Sequence, residues 1–223
     1  MKKHWWKVLC VGCLFYTIIG GFLGTVPRLD ILNETIRNLY FHVPMWFCMT
    51  VMFTVSMVYA IKYLNNPLSK YDIVAAEFAN TGILFGILGI ITGMIWAKFT
   101  WGDYWVKEDY KLNGAAISLL IYLAYMVLRS SFDDEQQRAK ISAVYNIFAF
   151  SAMIPLIFIL PRLTDSLHPG NGGNPGFNSY DLDNNMRMVF YPAVIGWILL
   201  GVWIANLRVR TRTIEENQEN FNA

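Results

Sequence analysis

Six long apolar blocks alternate with polar segments along the chain. A helix of about 20 apolar residues, rising 1.5 Å per residue, matches the hydrocarbon thickness of a bilayer. The predicted spans are residues 8–26, 43–64, 79–97, 114–128, 141–160 and 188–207, the fourth extended backward through 111–113. The pattern predicts an all-α integral membrane protein with six transmembrane helices, folded as a single domain over residues 1–223.

The polar segments between the blocks are predicted to be loops. The first two are Pro27–His42 and Asn65–Phe78, and the polar tail beyond the sixth span is predicted to fray. Pro44 suits the first turn of the second helix, where its missing N–H would have no partner. Pro155 is predicted to kink the fifth helix.

Glycines recur at spacings of three and four through the third span. Such spacing gives a helix a smooth face that a neighbouring helix can approach closely. These glycines are Gly82, Gly86, Gly89 and Gly93.

Composition supports the membrane assignment. Hydrophobic residues make up 55% of the chain and charged residues only 15%, whereas soluble domains carry roughly 25% charged residues. A net charge of +2 is too small to indicate nucleic acid as a partner. The first block follows a basic start, but it exceeds the apolar core of about 7–15 residues typical of signal peptides, and Gly20-Gly21 offers no clear cleavage site. It is predicted to be a retained helix.

An even number of spans places both termini on the same side of the membrane. That side carries 11 basic residues and the other carries 7. The first group is Lys2, Lys3, Lys7, Lys62, Lys70, Arg129, Arg138, Lys140, Arg208, Arg210 and Arg212; the second is Arg28, Arg37, Lys98, Lys107, Lys111, Arg162 and Arg187. Basic residues concentrate on the cytoplasmic side, so both termini are predicted to be cytoplasmic.

An aromatic stretch lies on the predicted outer side, between the third and fourth spans. It covers Trp101–Leu112 and reads WGDYWVKEDYKL. Trp101 and Trp105 are four residues apart, so a helical turn would place both rings on one face. The stretch is either an aromatic belt at the membrane–water boundary or the platform of a site for a large flat ligand.

Two histidines share that predicted outer side and suggest haem as one candidate for the flat ligand. Neutral imidazole is a good axial ligand for haem iron, and His42 and His168 together could fill both axial positions. The tryptophans would supply the apolar surface, and cations would bind the propionates. The candidate cations are Arg37, Lys107 and Lys111. Interfacial histidines beside an ordinary aromatic belt, in a transporter of another class, remain the alternative.

Arg37 carries a hypothesis of its own. Its guanidinium can hold a haem propionate by two parallel hydrogen bonds. The alternative is an ion pair with Glu34, one helical turn earlier.

Several other classes of protein are not indicated. The sequence contains no H-E-x-x-H zinc motif, no Walker loop and no C-x-x-C-H haem-attachment motif. No chain of intramembrane carboxylates marks a proton path, which argues against an ion-coupled pump.

These residues resemble the haem-handling proteins of cytochrome c biogenesis, the CcmC/CcmF/CcsA group, and CcmC-type members in particular. That group carries an outer motif of the form W-G-x-x-W-x-W-D (the WWD domain), which Trp101, Gly102 and Trp105 match. Ser166-Leu167-His168-Pro169 resembles the segment with the second family histidine. The segment with the first is matched by Pro27, Glu34, Arg37, Tyr40, His42, Val43, Pro44 and Trp46. The resemblance covers nearly the whole chain. The length of the chain favours CcmC, because CcmF and the CcsA-type proteins are usually longer or carry more spans.

The chain departs from the motif at its third tryptophan, where Lys107-Glu108 stands instead. One inserted residue would place Asp109 at the motif aspartate and align Lys111 with the basic residue that follows it. Without an insertion, Glu108 takes the acidic position.

The resemblance implies a carrier of haem rather than a conventional enzyme. It implies that haem b, as cargo, is bound at the outer (periplasmic) face of the bacterial inner membrane and passed to the haem chaperone CcmE. The implied partners are the ABC-type pair CcmA and CcmB and the small membrane protein CcmD. His42 and His168 would be the axial ligands, and the platform would comprise Trp101, Gly102, Trp105 and Asp109. A CcsA-type synthetase subunit, which attaches haem to apocytochrome, is the second interpretation.

Overall fold

The computed structural model of the chain describes residues 4–164, 166–168 and 182–222. Every regular element in these residues is helical. The elements are α1 (Trp5–Leu23), a 3₁₀ turn (Asn33–Asn38), α2 (Leu39–Asn65), α3 (Ser69–Trp101), α4 (Tyr110–Ser130), α5 (Glu135–Ile154), a π-helical turn (Pro155–Ile159), α6 (Leu160–Leu163) and α7 (Asn184–Asn222). Six helical stretches are long and apolar enough to cross a membrane, which confirms the predicted all-α, six-span fold.

Helices α2 and α3 form the centre of the bundle. The inward side chains of α2 are completely buried, including Cys48, Met49, Met52 and Phe53. They pack against α3, α5 and α7. Helix α1 packs mainly on α7 and leaves most of its surface exposed, as expected of a helix that faces lipid.

The glycines of α3 let α2 approach closely, as their spacing predicted. A Cβ atom at Gly82 would lie 2.5 Å from the Phe53 ring, and one at Gly93 would lie 2.7 Å from the His42 ring. Gly86 and Gly89 meet Met49 and Trp46 in the same way. The four contacts run in opposite order along the two helices, so α2 and α3 are antiparallel, with His42 against one end of the glycine face.

The start of α1 and the C-terminal half of α7 lie at one end of the bundle. The Trp6 ring in α1 contacts the Trp203 ring in α7 at a centroid distance of 6.0 Å. Near the other end of α1, Gly20 faces Val189 close to the start of α7. Helices α1 and α7 are therefore antiparallel, and the aromatic stretch lies at the opposite end.

The second polar segment is helical rather than a loop from Ser69 onward. With 33 residues, α3 is about 50 Å long and exceeds the bilayer core. Its polar first turns are fixed by charge: Asp72 and Arg129 form a bidentate ion pair with one N–O distance of 2.7 Å. Hydropathy alone missed this part of α3 because the pairing is tertiary.

The C-terminal tail is also helical, which corrects the prediction that it frays. Helix α7 runs without a break to Asn222. Arg208 donates to Glu77 at 2.6 Å, and Ser69 donates to Glu216 at 2.7 Å. The two polar extensions of α3 and α7 therefore stabilise each other.

Three local predictions about prolines and loops have mixed outcomes. Pro44 lies inside α2 rather than in its first turn, because the helix begins earlier, at Leu39. The first predicted loop is partly helical over Asn33–Asn38. Pro155 interrupts the α-helical hydrogen bonding as predicted, and a π-helical turn follows it. The loop predicted between the fifth and sixth spans is Pro161–Arg187, and its residues 165 and 169–181 lie outside the described residues.

We expect reporter fusions after Lys70 and after Asp109 to report opposite sides of the membrane, with Asp109 outside. The prediction of this orientation rests on the excess of basic residues on the side of the termini, 11 against 7. A periplasmic phosphatase reporter and a cytoplasmic fluorescence reporter, each fused at both positions, measure it. The same side for both positions would contradict the arrangement.

Candidate functional site

A cavity of about 640 Å³ opens at the end of the bundle opposite the termini. Its walls come from residues 31–32, α2, α3, α4, the π-helical turn and residues 167–168, and they are mainly apolar and aromatic. The polar and aromatic residues that matter here are His42, Trp46, Trp96, Trp101, Lys111 and His168. The volume lies within the range of about 300–1,000 Å³ typical of cofactor and ligand sites.

His42 lies in the second turn of α2, buried against Gly93 of α3. Its Nδ1 atom lies 3.1 Å from the Thr92 hydroxyl oxygen. That hydroxyl donates its single proton to the Leu88 carbonyl at 2.7 Å, so it accepts the proton of Nδ1–H from the histidine. The lone pair of neutral His42 is therefore on Nε2.

His168 is also oriented through its Nδ1 atom, in this case by a carboxylate. Its Nδ1 atom lies 3.3 Å from Asp109 Oδ2 and 3.2 Å from the Ser166 hydroxyl oxygen. Ser166 donates its proton to Asp109 at 2.8 Å, so both neighbours of Nδ1 are acceptors and Nδ1 carries the proton. The lone pair of His168 is also on Nε2, the arrangement found in metal-binding histidines backed by a carboxylate.

Asp109 links the aromatic stretch to the segment that carries His168. It is 2% exposed and caps the N-terminus of α4 by accepting from the Leu112 N–H at 2.8 Å. The same carboxylate accepts from the Leu167 N–H at 3.0 Å as well as from Ser166 and His168. Glu108 is exposed. The buried position supports the one-residue insertion in the motif.

These contacts determine the protonation states of Asp109 and His168. Burial disfavours the Asp109 carboxylate, but hydrogen bonds from His168, Leu112 and Ser166 outweigh it and hold the pKa of the carboxyl well below its usual range. Burial lowers the pKa of His168, and the hydrogen bond to Asp109 only partly opposes that change. At neutral pH the aspartate is ionised and the imidazole is neutral, which is the form that binds iron.

Trp101 faces the cavity, and Trp105 does not. Trp101 is the last residue of α3, and its ring meets the His168 ring edge to face at a centroid distance of 5.0 Å. Gly102 ends the helix with φ of +85°, a left-handed conformation that glycine adopts without strain. The expectation of a helical turn with both rings on one face is therefore wrong. Trp105 lies in the following loop and donates its indole N–H to Asn113 at 3.2 Å.

Of the three candidate cations, only Lys111 lines the cavity. Lys107 is exposed. Arg37 points to protein partners: its Nη1 donates to the carbonyls of Gly21 and Gly24 at 3.0 and 2.6 Å, and its Nε donates to Glu34 at 2.7 Å. The guanidinium thus covers carbonyls at the end of α1 that the helix leaves unpaired, and the structure does not bring it into the cavity.

We expect Arg37→Lys to lower the thermal midpoint of the protein and to leave haem affinity unchanged. The ammonium group cannot reproduce three directed bonds, and the loss of two costs about 1–3 kcal/mol of unfolding free energy. Thermal unfolding in detergent and haem titration of the folded protein measure the two quantities. Glu34→Gln is the matched control, because an exposed ion pair contributes at most about 1 kcal/mol. Weaker haem binding with an unchanged midpoint would favour the propionate hypothesis.

We expect Asp109→Asn to reduce haem affinity by about 10- to 100-fold, the usual cost of removing the residue that orients a metal ligand. The amide keeps the size of the side chain but accepts fewer of its four hydrogen bonds. Glu108→Gln, one residue earlier and exposed, is the control, and equilibrium haem titration compares the two. A larger effect at Glu108 would assign the acidic position of the motif to that residue instead.

Sequence reasoning missed Thr92 and Trp96. Thr92 fixes the proton on His42, and the Trp96 ring meets the His42 ring at 6.0 Å while its indole N–H donates to Thr35 at 3.2 Å. Both residues are on α3, so their role depends on the register of α3 against α2. The spacing of Gly89 and Gly93, which matches that of Trp46 and His42, is the signal that could have revealed it.

Comparison with known proteins identifies the family. A family model described as heme exporter protein C matches residues 1–223. Heme exporter protein C of Haemophilus influenzae is 25% identical over 185 residues, covering 83% of this chain and 74% of that protein. The Paracoccus denitrificans protein of the same description is 25% identical over 215 residues, covering 94% and 84%. A cytochrome c biogenesis protein CcsA of Pelargonium hortorum is 30% identical over 94 residues, covering 42% and 29%.

The family match, the six membrane-spanning helices and the cavity beside two histidines agree with one another. The chain therefore belongs to the heme exporter protein C family and is a multi-pass membrane protein with a role in haem handling for cytochrome c biogenesis.

Proposed function

We propose that this chain holds haem b at the outer face of the bacterial inner membrane and passes it to a CcmE-like haem chaperone. His42 and His168 are the axial ligands of the iron. The observation that carries the proposal is that both histidines line one largely apolar cavity, each with Nδ1–H bonded to protein. Each therefore carries its lone pair on Nε2, the nitrogen that would bind iron.

The composition of the cavity suits a porphyrin better than a bare metal ion. No group of three or more His, Cys, Asp or Glu side chains that could bind a metal ion occurs within the described part of the chain. Haem needs only two axial ligands from the protein, because the macrocycle supplies the equatorial nitrogens. The tryptophan-rich wall offers the flat apolar surface that the macrocycle requires.

The remaining motif residues have supporting roles in this proposal. Trp101 forms the haem platform beside His168, and Gly102 turns the chain after it. Trp105 fixes the loop through Asn113, and Asp109 orients His168. Lys111, at the start of α4, provides the positive charge in the cavity wall that a propionate requires.

Family membership supports the proposed partners. A haem exporter of this family belongs to the haem export and cytochrome c maturation system. The partners are a CcmE-like acceptor, an ABC-type pair of the CcmA and CcmB kind, and a small CcmD-like membrane protein. Haem is the cargo, so the chain acts as a carrier.

A second function is favoured by the CcsA relative, with 30% identity over 94 residues. In that case the chain would be a subunit of a cytochrome c synthetase and would act on apocytochrome directly. Co-purification separates the two: a CcmE-like chaperone supports the carrier, and a C-x-x-C-H apocytochrome supports the synthetase.

The experiment that tests the proposal is an absorption spectrum of the purified protein, with the haem identified as its pyridine haemochrome. We expect a Soret band of low-spin, six-coordinate haem and the haemochrome spectrum of haem b. A protein that stays colourless after haem is added in detergent would exclude the function and favour an unrelated transporter with an aromatic belt.

A further inference from the structure

The two histidines differ in what lies against the nitrogen that would bind iron. Trp46 lies one turn beyond His42 in α2 and donates its indole N–H to His42 Nε2, with a distance of 3.4 Å between the nitrogens. Among the described residues, Nε2 of His168 receives no hydrogen bond. The lone pair on Nε2 of His42 is therefore engaged by Trp46, whereas no residue in the described part of the chain engages that of His168.

Packing against α3 holds the indole in this position. A Cβ atom at Gly89 would lie 2.9 Å from the Trp46 ring, and one at Gly93 would lie 2.7 Å from the His42 ring. The two rings meet edge to face, 6.1 Å apart with an interplanar angle of 82°. Gly89 and Gly93 thus pack against the rings of Trp46 and His42, which have the same spacing of four residues. This packing directs the indole N–H of Trp46 toward Nε2 of His42.

We propose that Trp46 is a positioning residue that makes His42 the weaker of the two iron ligands, so that haem is released first from His42 and last from His168. This inference rests on the proposed function. It adds the order in which the cargo leaves its ligands.

Iron and the indole N–H of Trp46 exchange places at Nε2 of His42. When iron binds His42, the hydrogen bond from the indole to Nε2 breaks and an iron–nitrogen bond forms. No proton is lost, because Nδ1–H remains bonded to Thr92. When iron leaves, the indole N–H takes the lone pair back, so Trp46 competes with iron for the same electrons.

The residues that accept the Nδ1 proton of each imidazole also make His168 the stronger iron ligand. A carboxylate that accepts the Nδ1 proton raises the basicity of a ligating histidine, and His168 has Asp109 in that position. His42 has only the neutral hydroxyl of Thr92. His168 is thus the stronger donor, and within residues 4–164, 166–168 and 182–222 nothing competes with iron for its Nε2.

Trp96 provides a matched control within the same cavity. Its ring lies 6.0 Å from the His42 ring, edge to face at 70°, which nearly reproduces the placement of Trp46. Its indole N–H, however, donates to Thr35 and not to the histidine. Replacement of either tryptophan by phenylalanine removes similar ring area beside His42, but only Trp46→Phe frees Nε2.

The test measures haem dissociation in detergent, with apomyoglobin as the scavenger, together with the fraction of low-spin, six-coordinate haem. We expect Trp46→Phe to slow dissociation by about fivefold relative to Trp96→Phe, the value of one ordinary hydrogen bond, and to raise the low-spin fraction. In a His42→Ala background the same substitution should no longer slow dissociation, because the competition acts only through that imidazole.

The outcomes separate this inference from the proposed function. Equal dissociation rates for Trp46→Phe and Trp96→Phe, in a protein whose haem still depends on His42, would overturn the inference alone. Wild-type protein without haem, or with haem indifferent to His42→Ala, would overturn the proposed function. If Trp46→Phe does not insert in the membrane, Trp46→Tyr repeats the test, because it also lacks an N–H at that position.

Discussion

Replacing His168 with alanine is expected to convert bound haem from a six-coordinate, low-spin form to a five-coordinate form and to weaken binding by more than about 100-fold. Loss of a residue that orients a metal ligand costs about 10- to 100-fold, and this substitution removes the proposed ligand itself. The substitution also leaves the Asp109 carboxylate, which is 2% exposed, without its histidine partner. Haem titration followed by the Soret band measures both effects.

His42→Ala is expected to give the same change in coordination with a smaller loss of affinity. In the proposed arrangement Trp46 competes with iron for Nε2 of His42, so less binding energy is lost with His42 than with His168. His4→Ala is the control, because His4 is exposed at the start of α1, at the opposite end of the bundle. Unaltered low-spin spectra in both outer-face variants would contradict the axial assignment.

Hydropathy was sufficient to predict the parts of the helices that are apolar enough to lie in lipid. Each predicted span falls mainly within a helix of the structure, because apolar residues in lipid must satisfy their backbone hydrogen bonds internally. The helical extensions of α3 and α7 beyond the bilayer could not be predicted in this way. Their polar residues are ordered by pairs such as Arg208 with Glu77, and such pairs are visible only once the helices are placed.

The sequence motifs were sufficient to predict several of the residues that lie at the cavity. His42, His168 and Trp101 line the cavity, and Asp109 is bonded to His168. The parts that sequence could not supply depend on the register of neighbouring helices. Thr92 reaches His42 only because of the close approach of α3 to α2, and nothing in the spacing of Trp101 and Trp105 shows that a left-handed glycine separates them.

Trp101→Ala is expected to weaken haem binding by roughly 30- to 700-fold. The flat contact area of an indole beside a bound ring is worth on the order of 2–4 kcal/mol at about 25 cal/mol per Å². Trp101 also supports the imidazole of His168 at a ring distance of 5.0 Å, so a second contribution to binding is lost with it. Haem titration gives the affinity, and the amount of protein in the membrane fraction shows that insertion is unaffected.

Trp105→Ala and Asp103→Asn are the matched controls within the same stretch. Trp105 is outside the cavity wall and bonded to Asn113, so its loss should loosen the loop and reduce affinity far less than the loss of Trp101. Asp103 is exposed, and its one acceptor bond within the described part of the chain is from the N–H of Tyr104, so Asp103→Asn should bind haem as the wild type does. Trp101→Phe should recover most of the lost affinity, because a ring remains beside His168. If all these proteins bind haem equally, the stretch is an aromatic belt, and the two histidines hold the haem without it.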